Sequence, residues 1–320
     1  MGGPDRPTVP VIVGATGIGK TAVATELAGL LSIAVISADA RQVYRHLDIG
    51  TAKPGPDVRR ILPHYGIDLI EPGERYSAGA FARDAVEWLA EARSAGRTPL
   101  VVGGTGLYVR ALADGLFREP PLDAARREPL RVWVARLTSE RAAHWAARLD
   151  RGFAGGGRQR AGRAIEVALL TGRPLSWWQR DARERGVMRP WYIHLTLPRE
   201  LVTRRIAERV DRMLASGLVA EVEGLLGRGI RADTAGLDGI GYREVCAMLR
   251  GEIALSGLRD AIVTSTRRYA KRQETWFRHQ LRPGQGGPAA RESVWVLDAS
   301  EAPARLAGQI AERWRQRSAA

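Results

Sequence analysis

The sequence predicts an α/β fold, in which a doubly wound parallel sheet carries an inserted all-helical subdomain. Short apolar runs alternate with helical patterns through the first 118 residues, and this alternation is typical of a parallel sheet buried on both faces. From residue 119 to residue 190 the patterns are helical and rich in arginine, with no strand between them. We therefore predict an α/β core from residues 1–118 and 191–320, and an inserted helical subdomain from residues 119–190.

Strand-like and helical segments alternate along the core in a fixed order. Three continuous apolar runs predict strands at 9–13, at 33–39 and within 98–108. Helical spacing follows the first strand over 21–31, and an amphipathic helix over 77–96 begins at a serine cap and ends at a glycine. Past the insert we expect a strand at 191–197, helices over 199–217, 219–229, 239–251 and 264–280, a loop at 282–292, a strand at 293–298 and a helix over 301–317.

The segment "GATGIGKT" matches the phosphate-binding pattern G-x-x-x-x-G-K-[ST] and lies between a predicted strand and a predicted helix. Such a loop points backbone N–H groups at a phosphate from the N-terminus of the helix, which makes the core similar to that of P-loop NTPases. Lys20 is expected to neutralise terminal phosphate oxygens, and the Thr21 hydroxyl to reach a Mg²⁺ ion. The candidate phosphate-binding residues are Gly14, Ala15, Thr16, Gly17, Ile18, Gly19, Lys20 and Thr21.

An acidic residue, Asp39, ends the second predicted strand. The carboxyl ends of parallel strands open onto one crevice, so Asp39 is expected to face the same space as the phosphate loop. The third strand ends in Gly103, Gly104 and Thr105 and lacks the carboxylate that a nucleotide hydrolase uses to hold magnesium. Asp39 is thus placed to act on whatever lies beyond the phosphates. The alternative is that it caps a turn or joins the outer shell of the metal.

Basic residues outnumber acidic residues by 49 to 35, which gives a formal net charge of +14. This charge favours a partner with many phosphates. The alternative is that the base composition of the genome raises the arginine content of the chain. The single cysteine, Cys246, excludes an internal disulfide, and the five histidines show no metal-ligand spacing, so structural zinc is not expected. Without an apolar run of about 18 residues or a secretory signal, we expect a cytoplasmic protein with no membrane partner.

Six segments together resemble the tRNA dimethylallyltransferase family: "GATGIGKT", "ISADARQVYRHLDIGTAKP", "VVGGTGLYVRAL", "RIAERVDRMLASGLVAEV", "GIGYRE" and "AKRQETWFR". They occur in family order from residue 14 to about residue 278. The resemblance implies a transferase that moves a dimethylallyl group from dimethylallyl diphosphate to the exocyclic N6 amine of the adenosine 3′-adjacent to the anticodon, with Mg²⁺ and without ATP. It also implies the anticodon stem-loop of tRNA as the partner, and we expect the protein to be a monomer.

The resemblance assigns three catalytic residues. Asp39 matches the family carboxylate that removes a proton from the amine, and Thr105 matches the threonine that contacts the oxygen joining carbon to diphosphate. Arg209 matches an arginine that binds the diphosphate. Two alternatives stay open: Thr105 is a simple turn residue, and Arg209 belongs to a solvated basic face with Arg205 and Arg212, in which case Arg205 competes for the diphosphate.

Four segments are implied to contact tRNA. Gln42 is expected to hydrogen-bond the base edge, and cations mixed with aromatics on the basic helix suit RNA, where bases stack on rings. The alternatives are solvated arginines, a tyrosine that only packs in "GIGYRE", and a core position for Trp276. The candidate residues are Asp39, Ala40, Arg41, Gln42, Gln159, Arg160, Arg163, Gly241, Tyr242, Arg243, Lys271, Arg272, Gln273, Trp276 and Arg278.

Two other functions compete with the transferase. A small-molecule or nucleoside kinase would share the loop and the magnesium but would consume ATP and need no RNA. A non-catalytic RNA-binding module would retain a degenerate loop for structure, and the intact Lys20-Thr21 pair argues against it.

Overall fold

The computed structural model describes residues 6–117, 122–182, 184–281 and 294–319. The chain divides into two compact units, one formed by Met1–Asp114 with Val187–Ala320 and the other by Gly115–Gly186. The second unit begins and ends four residues before the predicted insert of 119–190. Glu119, where the insert was predicted to begin, and the predicted loop at 282–292 lie outside the described residues.

The first unit contains a six-stranded parallel sheet in the order β3-β2-β4-β1-β5-β6. This confirms the predicted α/β class with a parallel sheet. Strand β1 lies between β4 and β5 and is buried along almost its whole length, as its apolar sequence requires. The strands are β1 (Thr8–Val13), β2 (Ile33–Ser37), β3 (His64–Tyr65), β4 (Thr98–Gly103), β5 (Arg189–Thr196) and β6 (Val294–Asp298).

Helices cover this sheet and supply its core. Helix α1 packs with α13 over one apolar cluster, in which the Trp191 ring stacks on Trp295 and Trp314 at centroid distances of 6.1 and 5.7 Å. The helices of this unit are α1 (Lys20–Ala28), α2 (Pro56–Ile61), α3 (Ala78–Ser94), α4 (Gly106–Asp114), α9 (Arg199–Ala215), α10 (Leu218–Gly227), α11 (Tyr242–Leu249), α12 (Leu255–Gln280) and α13 (Pro303–Ala319). None of the helices in the described part of the chain has the length and apolar composition that a membrane crossing requires.

Most predicted elements are present, with differences at their ends. The predicted cap of α3 is confirmed, because the Ser77 hydroxyl accepts the Ala80 N–H at 3.0 Å. Strand β2 stops at Ser37, so Asp39 lies in the loop after it. Helix α12 begins at Leu255, nine residues before the predicted start. Strand β3 was not predicted, because two residues show no periodicity.

The second unit contains four helices within its described residues: α5 (Ala124–Arg136), α6 (Ser139–Leu149), α7 (Arg158–Thr171) and α8 (Leu175–Asp181). Its small core is formed by alanines of α6 and α7 around Ile165. A buried carboxylate, Glu166, pairs with Arg127 and with Arg163. Although burial opposes ionisation, hydrogen bonds from these two arginines hold the pKa of Glu166 below its usual value.

Candidate active site

The phosphate loop, Asp39 and the turn after β4 meet at one edge of the sheet. Strands β1, β4 and β2 are neighbours and parallel, so the segments that follow them emerge side by side. A cavity of about 720 Å³ opens there, lined by residues 16–21 of the loop together with Asp39, Gly104, Arg209, Tyr269 and Gln273. One cavity thus contains the predicted anion-binding loop and the predicted carboxylate.

Lys20 lies across the phosphate loop at the start of α1. Its Nζ donates to the Gly14 and Ala15 carbonyl oxygens at 2.9 and 2.8 Å. Burial lowers its pKa to about 8, Asp39 opposes this shift and Arg209 adds to it. Without a ligand, Lys20 is therefore only partly protonated at mildly alkaline pH. A bound diphosphate would favour its charged ammonium form.

Gln273 of α12 joins the phosphate loop to the β4 turn. Its Oε1 accepts the Thr16 N–H at 2.8 Å, and its Nε2 donates to the Gly104 carbonyl at 2.8 Å. A Cβ on Gly104 would lie 2.2 Å from that Nε2, so only glycine admits this contact. The sequence placed Gln273 among the tRNA-binding residues. In the structure both ends of its buried amide hold the two loops together, and a contact with tRNA stays a prediction.

The Asp39 loop is fixed to the β4 turn by two hydrogen bonds. The Ala40 N–H donates to the Thr105 hydroxyl at 3.0 Å, and the Thr105 N–H donates to the Ala38 carbonyl at 3.1 Å. Asp39 also accepts the Arg41 N–H at 2.9 Å through Oδ1, so it does cap a turn, as the alternative interpretation expected. Thr105 is not among the residues lining the cavity, although its neighbour Gly104 is.

Tyr269 of α12 borders both Asp39 and Thr105. Burial raises the pKa of Tyr269 to about 12, the negative charge of Asp39 acts in the same direction, and a hydrogen bond with Thr105 opposes it. The phenol therefore stays protonated at neutral pH. Sequence patterns did not single out Tyr269 for this site, since its position shows only when α12 packs over the loops.

Arg205 and Arg209, one turn apart on α9, have different environments. Arg205 donates to the backbone carbonyls of Ile18 and Ala299, each at 3.1 Å. Arg209 donates to the Thr51 carbonyl at 3.5 Å, and burial lowers its pKa while Asp39 opposes that shift. Arg205 therefore stabilises the backbone around the phosphate loop, and Arg209 interacts electrostatically with Asp39.

The segment "DIGTAKP" forms part of the cavity wall and contains a buried lysine, Lys53, which the sequence analysis did not single out. The Lys53 side chain is 1% exposed, and its Nζ donates to the Asp48 and Asp68 carboxylates at 2.7 and 2.6 Å. Despite the cost of burial, hydrogen bonds from Lys53 and Arg59 lower the pKa of Asp68. The partners are up to 15 residues apart in sequence, and no local pattern marks them.

Two predicted RNA contacts on the Asp39 side, Arg41 and Gln42, already have protein partners. Gln42 accepts from the Ser37 hydroxyl at 2.8 Å and donates to the carbonyls of residues 51 and 52. Arg41 donates to the Ala235 carbonyl at 2.7 Å and pairs with Asp238 at 2.6 Å. Gln42 still lines the cavity, so only an exchange of partners would let its amide bind a base.

Tyr242, which was predicted to contact tRNA, is buried in the structure. The side chain is 1% exposed, its hydroxyl donates to Glu221 at 2.6 Å, and it accepts the Gly50 N–H at 3.1 Å. A Cβ on Gly50 would lie 2.4 Å from the Tyr242 ring. Gly241 is also buried, whereas Arg243 is exposed and pairs with Glu244. The alternative of a packing tyrosine is the one that the burial supports.

The residues of α12 that were predicted to contact tRNA divide between two faces of the helix. Gln273 and Trp276 face the β4 turn, where Trp276 packs against Gly106. Lys271 and Arg278 line a second cavity of about 580 Å³, on the far side of the phosphate loop next to Ala15 and Ile18. Arg272 lies over the Tyr269 ring at 5.6 Å. The five predicted tRNA contacts on this helix therefore do not form one surface.

In the second unit, Gln159 and Arg160 are exposed, whereas Arg163 is half-buried and donates to Glu166 at 3.0 Å. We expect Arg160→Ser to reduce the salt dependence of tRNA binding by about 0.7 to 0.9 in slope, because one phosphate contact is lost. Arg163→Ser should chiefly destabilise the unit by weakening the pairing of a buried carboxylate. Binding titrations at several salt concentrations, with thermal unfolding, separate the two; an unchanged slope for Arg160→Ser would contradict the first expectation.

Comparison with known proteins decides the family. The family model described as IPP transferase matches residues 42–280, and the one described as Isopentenyl transferase matches residues 7–61. The chain belongs to the IPP transferase family. This IPP transferase is 43% identical over 280 residues to a tRNA dimethylallyltransferase of Syntrophobacter fumaroxidans, covering 86% of this chain and 81% of the relative. It is 41% identical over 297 residues to the Geobacter metallireducens tRNA dimethylallyltransferase, covering 91% and 93%.

Solved structures agree with this assignment. The full-length tRNA isopentenylpyrophosphate transferase of Bacillus halodurans superposes with a TM-score of 0.68 at 32% identity, over 98% of this IPP transferase and 96% of that chain. The Staphylococcus epidermidis tRNA delta(2)-isopentenylpyrophosphate transferase gives 0.67 at 28% identity, over 98% and 100%. The protein is therefore a prenyl-transferring enzyme, and the kinase alternative is not favoured.

Proposed function

We propose that this IPP transferase moves the dimethylallyl group of dimethylallyl diphosphate to the N6 amine of the adenosine 3′-adjacent to the anticodon of tRNA. The observation that carries the proposal is the single cavity that contains the phosphate loop, Arg209 and Asp39. The anion-binding end suits the diphosphate, and the carboxylate suits the attacking amine. The allylic C–O bond breaks, the N6–C bond forms, diphosphate leaves, and one amine proton is released.

Negative charge develops on the diphosphate as the allylic bond breaks. Donors already placed around that charge stabilise the transition state because they need no rearrangement during the reaction. The loop amides, Lys20 and Arg209 supply such donors in this IPP transferase. Arg205 contributes indirectly, by bracing the Ile18 carbonyl of the loop.

The site also suits a divalent cation. Mg²⁺ usually keeps several waters and binds few protein oxygens together with substrate phosphates. Thr21, next to Lys20, lines the cavity and offers one hydroxyl, and the described residues contain no group of three histidine, cysteine or acidic side chains that could hold a metal alone. When bound, Mg²⁺ would neutralise diphosphate oxygens, and Thr21 is the residue that we propose holds it.

Asp39 is the proposed proton acceptor for the amine. The exocyclic amine of adenine is a weak nucleophile, because its lone pair is delocalised into the ring, so removal of its proton assists attack. The hydrogen bond from the Arg41 N–H orients the carboxylate. The adenosine must leave its stack to reach this cavity, as other base-modifying enzymes require.

Label transfer tests the function directly. Purified protein, Mg²⁺, unmodified tRNA and radiolabelled dimethylallyl diphosphate should give labelled tRNA without ATP. A tRNA with guanosine at the target position is the matched control and should stay unlabelled. Label that remains in the donor while ATP is consumed would contradict the proposal in favour of a kinase, and tRNA binding without transfer would favour a non-catalytic module.

Donor affinity should depend on pH through Lys20. Its lowered pKa of about 8 means that free Lys20 loses its charge above pH 8, so binding a diphosphate there requires proton uptake. We expect affinity to be constant below pH 7 and to fall by up to about tenfold per pH unit above 8. Calorimetry with a non-hydrolysable donor analogue in buffers of different ionisation enthalpy measures both effects. If donor affinity declined in the same way in Lys20→Met, another titrating group would be responsible for the pH dependence.

The protein is also proposed to act as a cytoplasmic monomer. Sedimentation equilibrium should give a mass near 35.0 kDa at micromolar concentration. A mass of twice that value would contradict this part of the proposal.

A further inference from the structure

Two tryptophans of the second unit remain substantially exposed, although the unit has an apolar core of its own. Trp133 on α5 is 38% exposed and Trp145 on α6 is 39% exposed. Their rings meet edge to face, with centroids 5.8 Å apart and an interplanar angle of 74°. Neither ring belongs to the core cluster, which α5 reaches through Leu130 and Val134. Single exposed apolar residues are common on protein surfaces, whereas contiguous exposed apolar groups are associated with interaction sites.

The two rings form the walls of a groove of about 550 Å³. Leu137 lies in the same groove, and Glu140, Arg141 and His144 provide its polar groups. Arg141 uses its backbone N–H to cap α6 on Thr138, and its guanidinium makes no ion pair among residues 122–182. The groove therefore combines two aromatic surfaces with a cation that is available to a ligand.

The net positive charge of the unit that contains the groove favours a polyanion over a protein. Residues 122–182 contain twelve arginines, six acidic residues and no lysine. One carboxylate, Glu140, lies in the groove itself. Unpaired RNA bases bind where aromatic rings offer stacking faces and neighbouring cations bind the backbone.

A segment that the sequence relates to tRNA packs against α5, one of the two helices that form the groove. Arg158, the first residue of α7, donates to the Ala135 carbonyl of α5. A Cβ on Gly162 would lie 3.0 Å from a Val134 methyl group. The segment 158–163 therefore packs against the turn of α5 that carries Trp133, and the exposed Arg160 lies in that segment.

We infer that the groove between Trp133 and Trp145 binds an unpaired nucleotide of the tRNA, with the base stacked on an indole ring and Arg141 on an adjacent phosphate. This inference rests on the proposed function only in taking tRNA as the partner. It adds a binding site for a second nucleotide, apart from the one that reacts.

The test is RNA binding measured without prenyl donor, by fluorescence anisotropy of an end-labelled unmodified tRNA and of a blunt RNA duplex. The double variant Trp133→Leu/Trp145→Leu should bind tRNA at least about five- to tenfold more weakly, as expected for the loss of one stacked base. Its affinity for the duplex should change less than twofold. Trp133→Phe/Trp145→Phe should recover most of the tRNA affinity, since phenylalanine retains a stacking face.

Trp177→Leu is the matched control, because Trp177 belongs to the same unit, does not line the groove and packs under Arg173 at 4.1 Å. It should leave tRNA affinity unchanged, and circular dichroism melts should show that all variants fold. Equal losses for tRNA and duplex, or no loss, would overturn the inference. Self-association of the wild type that the leucine variant abolishes would also overturn it, because the groove would then join two copies. If no variant or wild type transfers the prenyl group while the tRNA-specific loss persists, only the proposed function fails.

Discussion

Asp39→Asn is expected to lower kcat for prenyl transfer by about 100-fold or more, with tRNA affinity within about twofold of the wild type. The loss corresponds to removal of a general base, which typically contributes 10²- to 10⁴-fold. Asparagine keeps an oxygen that can accept the Arg41 N–H, so the turn after β2 is preserved. Single-turnover rates with saturating donor and tRNA, together with separate binding titrations, provide the measurement.

A conservative replacement at the same position sharpens this expectation. Asp39→Glu should retain more activity than Asp39→Asn, because it keeps an ionisable oxygen. An Asp39→Asn variant with the full rate and lost tRNA affinity would make Asp39 a binding residue.

Arg209→Met should lower kcat by about 10²- to 10³-fold, the usual effect of removing one donor from a developing anion. Arg205→Met, one turn away, should lower it less than about tenfold and should instead lower the thermal unfolding temperature. The reason is that Arg205 donates to the Ile18 and Ala299 carbonyls at 3.1 Å, while the contact of Arg209 with the Thr51 carbonyl is longer, at 3.5 Å. The two substitutions remove the same charge, so each controls for the other.

Inorganic diphosphate gives an independent readout for this pair. Its inhibition constant should rise at least tenfold in Arg209→Met, because the proposed direct ligand of the leaving group is lost. In Arg205→Met it should change little. The reverse pattern would assign the diphosphate to Arg205 and would leave Arg209 as part of the cavity wall.

The parts of the site that depend on local sequence could be predicted. The phosphate loop has a fixed spacing, and Asp39 follows a buried strand, so sheet topology alone brings them to one edge. Residues that act across long sequence separations could not be found in this way. Gln273 lies 257 residues from Thr16, and its amide looks like any polar group on a basic helix until that helix is packed.

Sequence alone does not distinguish a paired arginine from an exposed one. Arg163 and Arg160 look equivalent in sequence, yet Glu166, three residues further along α7, pairs with Arg163 and leaves Arg160 exposed. Exposed tryptophans were missed for the opposite reason, since an aromatic residue at helical spacing usually indicates core. Whether an arginine is paired and whether a tryptophan is exposed both depend on neighbours in three dimensions, and the periodicity of the sequence does not identify those neighbours.

The contact between Gly50 and Tyr242 has an evolutionary consequence. Because the tyrosine ring occupies the space of any side chain at position 50, alanine there is tolerated only together with a smaller residue at 242. The two positions, 192 residues apart, should therefore show epistasis: alanine at position 50 costs less stability when residue 242 is small, because the clash with the ring is then absent. Among diverging homologues they should covary, which links the histories of two motifs that seem unrelated along the chain.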